Sequence, residues 1–152
     1  MKPSLMIKTA QKKFFRGFTL IELLIVIAIL GILAAAVLVA INPGKRTRQA
    51  QDAKRKNDIG ALATELQGYY TSPGAGKYPS TLDVLTAEGY LKSMPLDPTS
   101  GVAYVYDLNG ATTEGAVGAT LSEPTSGGGT WVWCWRSTTN TATEITAGDC
   151  TI

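Results

Sequence analysis

From Phe18 to Ile41 the chain carries one charged residue, Glu22, and one other polar side chain, Thr19. At ~1.5 Å of rise per residue, this stretch of 24 residues crosses a hydrocarbon core of ~30 Å as a single helix. It is apolar all round, so it must be buried in lipid or among partner helices. Ahead of it, residues 1–17 hold Lys2, Lys8, Lys12, Lys13 and Arg16 and no acid. A basic flank before an apolar span stays on the cytoplasmic side, which places the rest of the chain outside.

The formal net charge of +2 conceals an uneven distribution. Without residues 1–17 the remainder has nine basic and twelve acidic side chains, a net of −3. Residues 45–58 hold Lys45, Arg46, Arg48, Lys54, Arg55 and Lys56 against Asp52 and Asp58. Residues 59–152 hold three basic against nine acidic side chains, a net of −6. A basic stalk under an acidic head can set the register of neighbouring copies or meet lipid headgroups, and both readings stand at this point. An acidic head argues against nucleic-acid binding by that part of the chain.

Cys134 and Cys150 both lie on the exported side, where a disulfide is expected over free thiols. Closing that loop stabilises the fold by ~3 kcal/mol. There is no His and no Cys pair at metal spacing, so neither a zinc site nor another cofactor is expected. With no nucleophile elbow and no phosphate loop, the sequence does not predict an enzyme.

The length allows one modest domain beside the apolar helix. Asn42-Pro43-Gly44 predicts a kink or local break. Helix resumes beyond it: Ile59, Leu62, Leu66 and Tyr69 or Tyr70 recur at helical spacing, with Ala50, Ala53 and Ala63 beside them. One face packs on a head while Lys, Arg and Asp are expected to point to water. Ser72-Pro73-Gly74 ends this half, and a straight helix from Phe18 to about Tyr70 would be ~80 Å long.

A short helix is expected after Pro79, capped by Ser80 or Thr81, with Asp83 in its first turn, Leu82 and Leu85 inward and Gly89 as its stop. Val102–Leu108 alternates as a strand, and Asn109-Gly110 predicts a two-residue hairpin turn into a partner strand within Ala111–Leu121. Gly115 and Gly118 weaken that partner, and Gly127-Gly128-Gly129 reads as a flexible link. In Thr130–Arg136, Trp131, Trp133 and Trp135 share one face, Val132 and Cys134 the other. A Thr-rich strand follows at Thr141–Thr146, and Cys150 returns to tie the C-terminal loop. The sum is an α+β head on a long helix.

The stretch Arg16-Gly17-Phe18-Thr19-Leu20-Ile21-Glu22, behind a basic leader and before an apolar run, resembles the class III leader of type IV prepilins and type II secretion pseudopilins. The resemblance implies that a prepilin peptidase cuts after Gly17 and methylates the new Phe18 amine, and that Glu22 is the acid at the family's fifth mature position. It implies four parts: a cleaved leader, 1–17; an apolar transmembrane and filament-core helix, 18–41; an amphipathic half, 42–71; and a pilin-like head, 72–152. Tyr78-Pro79, Tyr90-Leu91, Pro95-Leu96-Asp97-Pro98 and Tyr104 resemble heads of pseudopilins and of related Gram-positive and uncultured-lineage pilins. The pseudopilin likeness raises Asp97, Asp107 and Asp149 as calcium ligands, but no dense acidic loop exists and no metal is expected.

The resemblance further implies a structural subunit, stored in the membrane and polymerised into a type IV pilus or pilus-like filament, or a pseudopilin of a secretion or DNA-uptake apparatus. The implied partners are further copies of the chain, the prepilin peptidase, an inner-membrane platform protein, an assembly ATPase and, before assembly, the lipid bilayer. The implied location is a single-pass inner-membrane protein with an exported head, then an extracellular or periplasmic filament. Glu22 is either an acid favoured near a helix start or the partner of a neighbouring copy's Phe18 amine. The Trp face either packs on the long helix or forms an exposed stripe for subunit packing or adhesion. A rival reading is an exported binding module, permanently anchored or released after Ala34-Ala35-Ala36. Release is disfavoured because Glu22 interrupts the apolar segment and apolar residues continue through Ile41.

Overall fold

Helix α1 (Leu20–Ile41) buries none of its side chains: every Leu, Ile and Val in it is at least 50 % exposed. Its apolar residues form no stripe because they occupy every face, as the sequence requires. A computed structural model describes residues 17–152 of the chain; Lys2, Lys8, Lys12, Lys13 and Arg16 of the expected leader lie outside the described residues. Helix α1 belongs to one compact unit, and residues 42–152 form another.

Helix α2 (Pro43–Thr71) begins at a left-handed Asn42, with φ 47° and ψ 73°. The Asn42 carboxamide caps it by accepting from the Lys45 N–H at 3.2 Å. Pro43 takes the first helical position, where its missing N–H costs nothing. Ile59, Leu62, Ala63 and Leu66 are its buried apolar residues, one face of the helix. They pack with Tyr78, Leu82, Leu85, Tyr104, Val117, Ala119 and Trp135 into the main core. Fully burying each Leu or Ile contributes ~1.5–3 kcal/mol.

The sheet is an antiparallel meander of β1 (Val105–Leu108), β2 (Gly115–Thr120), β3 (Trp131–Arg136) and β4 (Thr141–Thr146) in that order. The register aligns Tyr106, Val117, Trp135 and Ala142 on the face toward α2. On the opposite face Asp107, Ala116, Arg136 and Thr141 align, and a smaller cluster of Ala116, Val132, Cys134, Cys150 and Ile145 forms there. This is the expected α+β arrangement.

Three local expectations are corrected. The expected Asn109-Gly110 turn is instead a loop from Asn109 to Glu114, because the Asn109 carboxamide oxygen gathers the Thr113 and Glu114 N–H groups at 2.9 and 3.2 Å. The first strand does not run from Val102: Ala103 pairs with Leu96 across a tight turn, and β1 starts at Val105. Neither Ser80 nor Thr81 caps α3 (Asp83–Ala87), whose N-cap is Leu82 without a side-chain bond; Gly89, at φ 80°, does follow its end. Gly115 through Ala119 of β2 are all buried, since β2 is an inner strand covered on both faces.

Candidate assembly surfaces

At the N-terminal end, Gly17, Phe18 and Thr19 precede α1, and Phe18 is 89 % exposed. Thr19 and Glu22 form a reciprocal cap. The Glu22 carboxylate accepts from both the Thr19 N–H and the Thr19 hydroxyl at 2.8 Å, while the Glu22 N–H donates to the Thr19 oxygen at 3.2 Å. Both carboxylate bonds end on Oε2, so within the single chain Glu22 serves its own helix start and Oε1 has no partner among the described residues. The Thr-x-x-Glu spacing is the legible signal for this cap, and a reading centred on Glu22 alone passes over it.

Cys134 and Cys150 are joined in a disulfide. The bond sits over β2 at Gly118, where a Cβ would lie 2.6 Å from the Cys150 sulfur. The tail continues across this face, and the Ile152 N–H donates to the Asp107 carboxylate on β1 at 3.0 Å.

The three tryptophans have three different environments. Trp135 is buried and meets Tyr78 edge-on, with centroids 6.2 Å apart. Trp133 is half-buried beneath Lys56, whose ammonium lies 4.5 Å from the ring centroid. Trp131 is half-buried at the far end, donating its indole N–H to the Gly128 carbonyl at 3.2 Å. Trp135 and Trp133 therefore pack in the core that the sheet shares with α2, while Trp131 lies outside that core, and a uniformly exposed stripe is excluded.

The sequence predicts that the charged side chains in the basic part of α2 point to water. Two do not, for Asp52 and Arg55 are buried at 5 % and 4 % exposure. The Arg55 guanidinium donates to Asp52 at 2.7 Å, to Asp97 at 2.5 and 3.1 Å, to Thr99 at 2.9 Å and to Ser122 at 2.8 Å. Asp52 in turn accepts the backbone N–H groups of Ser122 and Glu123. One arginine thus ties α2 to the Leu96–Ala103 turn and to the segment leaving β2. Hydrogen bonding from Arg55 is the main reason the Asp97 carboxyl sits well below the usual carboxylate range; the Ser100 and Thr99 N–H groups act the same way, against the opposing effect of burial. Arg55 is held protonated above its ordinary value, chiefly by Asp97. Nearby, Tyr104 donates to Asp58 at 2.6 Å; burial first and that carboxylate second raise its phenol above the usual range.

Asp97, Asp107 and Asp149 do not converge: Asp97 binds Arg55, Asp107 accepts from Ile152, and Asp149 accepts from the Thr146 hydroxyl. Among the described residues no group of three or more metal-ligating side chains occurs.

The family described as the prokaryotic N-terminal methylation motif matches residues 12–38. The chain is similar to the type II secretion system core protein G of Pseudomonas aeruginosa, 38 % identical over 104 residues that cover 58 % of this chain and 70 % of that protein. It is also similar to the Escherichia coli K12 protein of the same name, 34 % identical over 125 residues covering 68 % of this chain and 85 % of that one. The chain belongs to the type IV pilin and pseudopilin family. The Aeromonas hydrophila core protein G is a further relative, 36 % identical over 104 residues that cover 58 % of this chain and 70 % of that protein. No solved structure matches the chain. As a member of this family the chain is a pilin-like structural subunit, and its α1 is long and apolar enough to cross a membrane.

Proposed function

We propose that this chain is a polymerising subunit of a type II secretion pseudopilus, made as a prepilin, cut after Gly17 and methylated on the Phe18 amine. The observation that carries the reading is α1: a helix exposing every apolar side chain needs lipid around it first and partner helices afterwards. The names of the relatives favour a pseudopilus over a surface pilus. In this reading residues 1–17 are the leader, 18–41 the membrane and filament-core segment, 42–71 the amphipathic helix and 72–152 the outward head. The partners are the prepilin peptidase, an inner-membrane platform protein, an assembly ATPase and other copies of the chain. The subunit waits in the inner membrane with its head exported, then enters the filament.

Glu22 has two roles here. Its Oε2 holds the start of α1 through Thr19, and Oε1 meets the Phe18 amine of a neighbouring copy in the filament. Removing one partner of a buried pair costs ~3–5 kcal/mol, so Glu22→Ala is processed and inserted but polymerises poorly. Glu22→Gln separates the roles, because the amide oxygen keeps the cap while the charge is lost. If Glu22→Gln polymerises normally, the charge pairing is wrong. For the reading as a whole, mass spectrometry of sheared filaments should find methylated Phe18 as the first residue; a start at Val37, or an intact leader beside an active peptidase, would overturn it.

A further inference from the structure

Several charged side chains of residues 42–152 have partners within the chain. Arg48 pairs with Glu123 at 2.6 Å and Lys54 with Asp58 at 2.5 Å, while Arg55 takes both Asp52 and Asp97. Among those without an ionic partner are two groups, one in the first turn of α2 and one flanking α3. Lys45 and Arg46 are exposed in the first turn of α2, and neither has an acidic partner among the described residues; Arg46 reaches only Gln49, at 3.4 Å. Asp83, at the start of α3, and Glu88, just past its end, are exposed without a side-chain bond among the described residues.

Local electrostatics do not explain the basic pair. A helix start favours acids and disfavours cations, yet the first turn of α2 has no acid. Nor can the two groups meet within one chain. Tyr90, two residues past Glu88, packs on Gly68 and lies edge-on to Tyr69, with centroids 5.8 Å apart. Gly68 is 23 residues along α2 from Lys45, an axial distance of ~35 Å, and Asp83 shares a pocket with Tyr104, which bonds to Asp58, 13 residues and ~20 Å from Lys45. The exposed Lys77 and Lys92 lie on the acidic head as well, but that head keeps its net of −6 with them counted.

We propose that Lys45 and Arg46 of one copy pair with Asp83 and Glu88 of a second copy, displaced by ~20–35 Å along the α2 direction. The contact is heterologous, one patch of the unit against a different one, so it repeats along a filament instead of closing a dimer. It deepens the polymerisation reading and rests on it. It also chooses between the two uses of a basic stalk, favouring subunit register over lipid headgroups.

The test uses the full chain expressed with its assembly machinery, comparing wild type, Lys45→Glu/Arg46→Glu, Asp83→Lys/Glu88→Lys, and all four changes together. Either charge reversal alone should lower the yield of sheared filaments on the order of tenfold, since unlike-charge contacts become like-charge ones at every subunit. The fourfold variant should recover to within about threefold of wild type, with N-terminal processing and thermal unfolding unchanged throughout. If wild type forms filaments and the reversals do nothing, or the fourfold variant is not rescued, the pairing is wrong while polymerisation stands. If the Lys45→Glu/Arg46→Glu reversal lowers the yield while the Asp83→Lys/Glu88→Lys reversal does not, the basic pair meets headgroups instead and the proposal is overturned. If wild type forms no filaments, the polymerisation reading falls and the pairing with it.

Discussion

Gly118 lies directly beneath Cys150: a Cβ there would approach the Cys150 sulfur to 2.6 Å and the Trp133 carbonyl oxygen to 3.5 Å. Because Gly118 is also the register partner of Cys134, the disulfide crosses β2 at a point where that strand has no side chain. The C-terminal tail is thereby drawn onto the outer face of the sheet, where Ile152 reaches Asp107.

Gly118→Ala should therefore disturb the tail and not merely the strand. Overpacking at a buried site costs ~1–3 kcal/mol, and the displaced Cys150 should raise the fraction of free thiols. Gly148→Ala, which meets open space, is the control. Thiol labelling without reductant and thermal unfolding together read the result; equal behaviour of the two variants would remove Gly118 from this role.

Arg55→Met should be among the most damaging single changes in the head. It leaves the Asp52 and Asp97 carboxylates without their cation at a site where Asp52 is only 5 % exposed. Breaking a buried pair this way costs ~3–5 kcal/mol, to be measured as a lower urea midpoint. Lys54→Met removes only an exposed pairing to Asp58 and should shift stability by at most ~1 kcal/mol.

The same network sets an acid limit. Asp97 titrates well below the usual carboxylate range when folded, whereas an unfolded Asp titrates near ~4. A lowered folded-state value contributes stability that is complete above the unfolded value and lost as pH falls through it toward the folded one. Urea midpoints measured from pH 7 downward should be flat in this respect to about pH 5 and then fall. In Asp97→Asn that part of the decline should be missing; an identical slope in both proteins would refute the assignment.

Asn109→Ala should loosen the loop joining β1 and β2. The carboxamide oxygen accepts two backbone N–H groups, and its nitrogen donates to the Thr113 hydroxyl at 2.9 Å. Losing these bonds at an accessible loop should cost ~1–2 kcal/mol. Faster amide exchange at Thr113 and Glu114 would accompany it, with Val117 in the core unaffected.

Much of this protein is legible in the linear chain. Covalent order alone settles the apolar run, the break at Asn42-Pro43, the period-3.6 face of Ile59, Leu62 and Leu66, and the strands at Trp131–Arg136 and Thr141–Thr146. Each depends on local repetition or a local interruption, which a linear string records directly. The Thr19–Glu22 cap is equally local and readable from its spacing.

Long-range partners are a different matter, and folding alone assigns them. Asp52 and Arg55 look like part of a solvated basic stretch until Asp97, 42 residues from Arg55, and Ser122, 67 residues from it, close around them. The glycines of β2 look like a defect until the strand lies inside the sheet with a disulfide over it. The Trp side chains grade from buried to half-buried because Trp135 lies in the core with Tyr78 while Trp131 lies outside it. In each case the chemical character of the residue is written in the chain. The burial that makes a charge costly, or a missing side chain useful, exists only once distant segments are brought together, because desolvation and steric exclusion are properties of surroundings and not of composition.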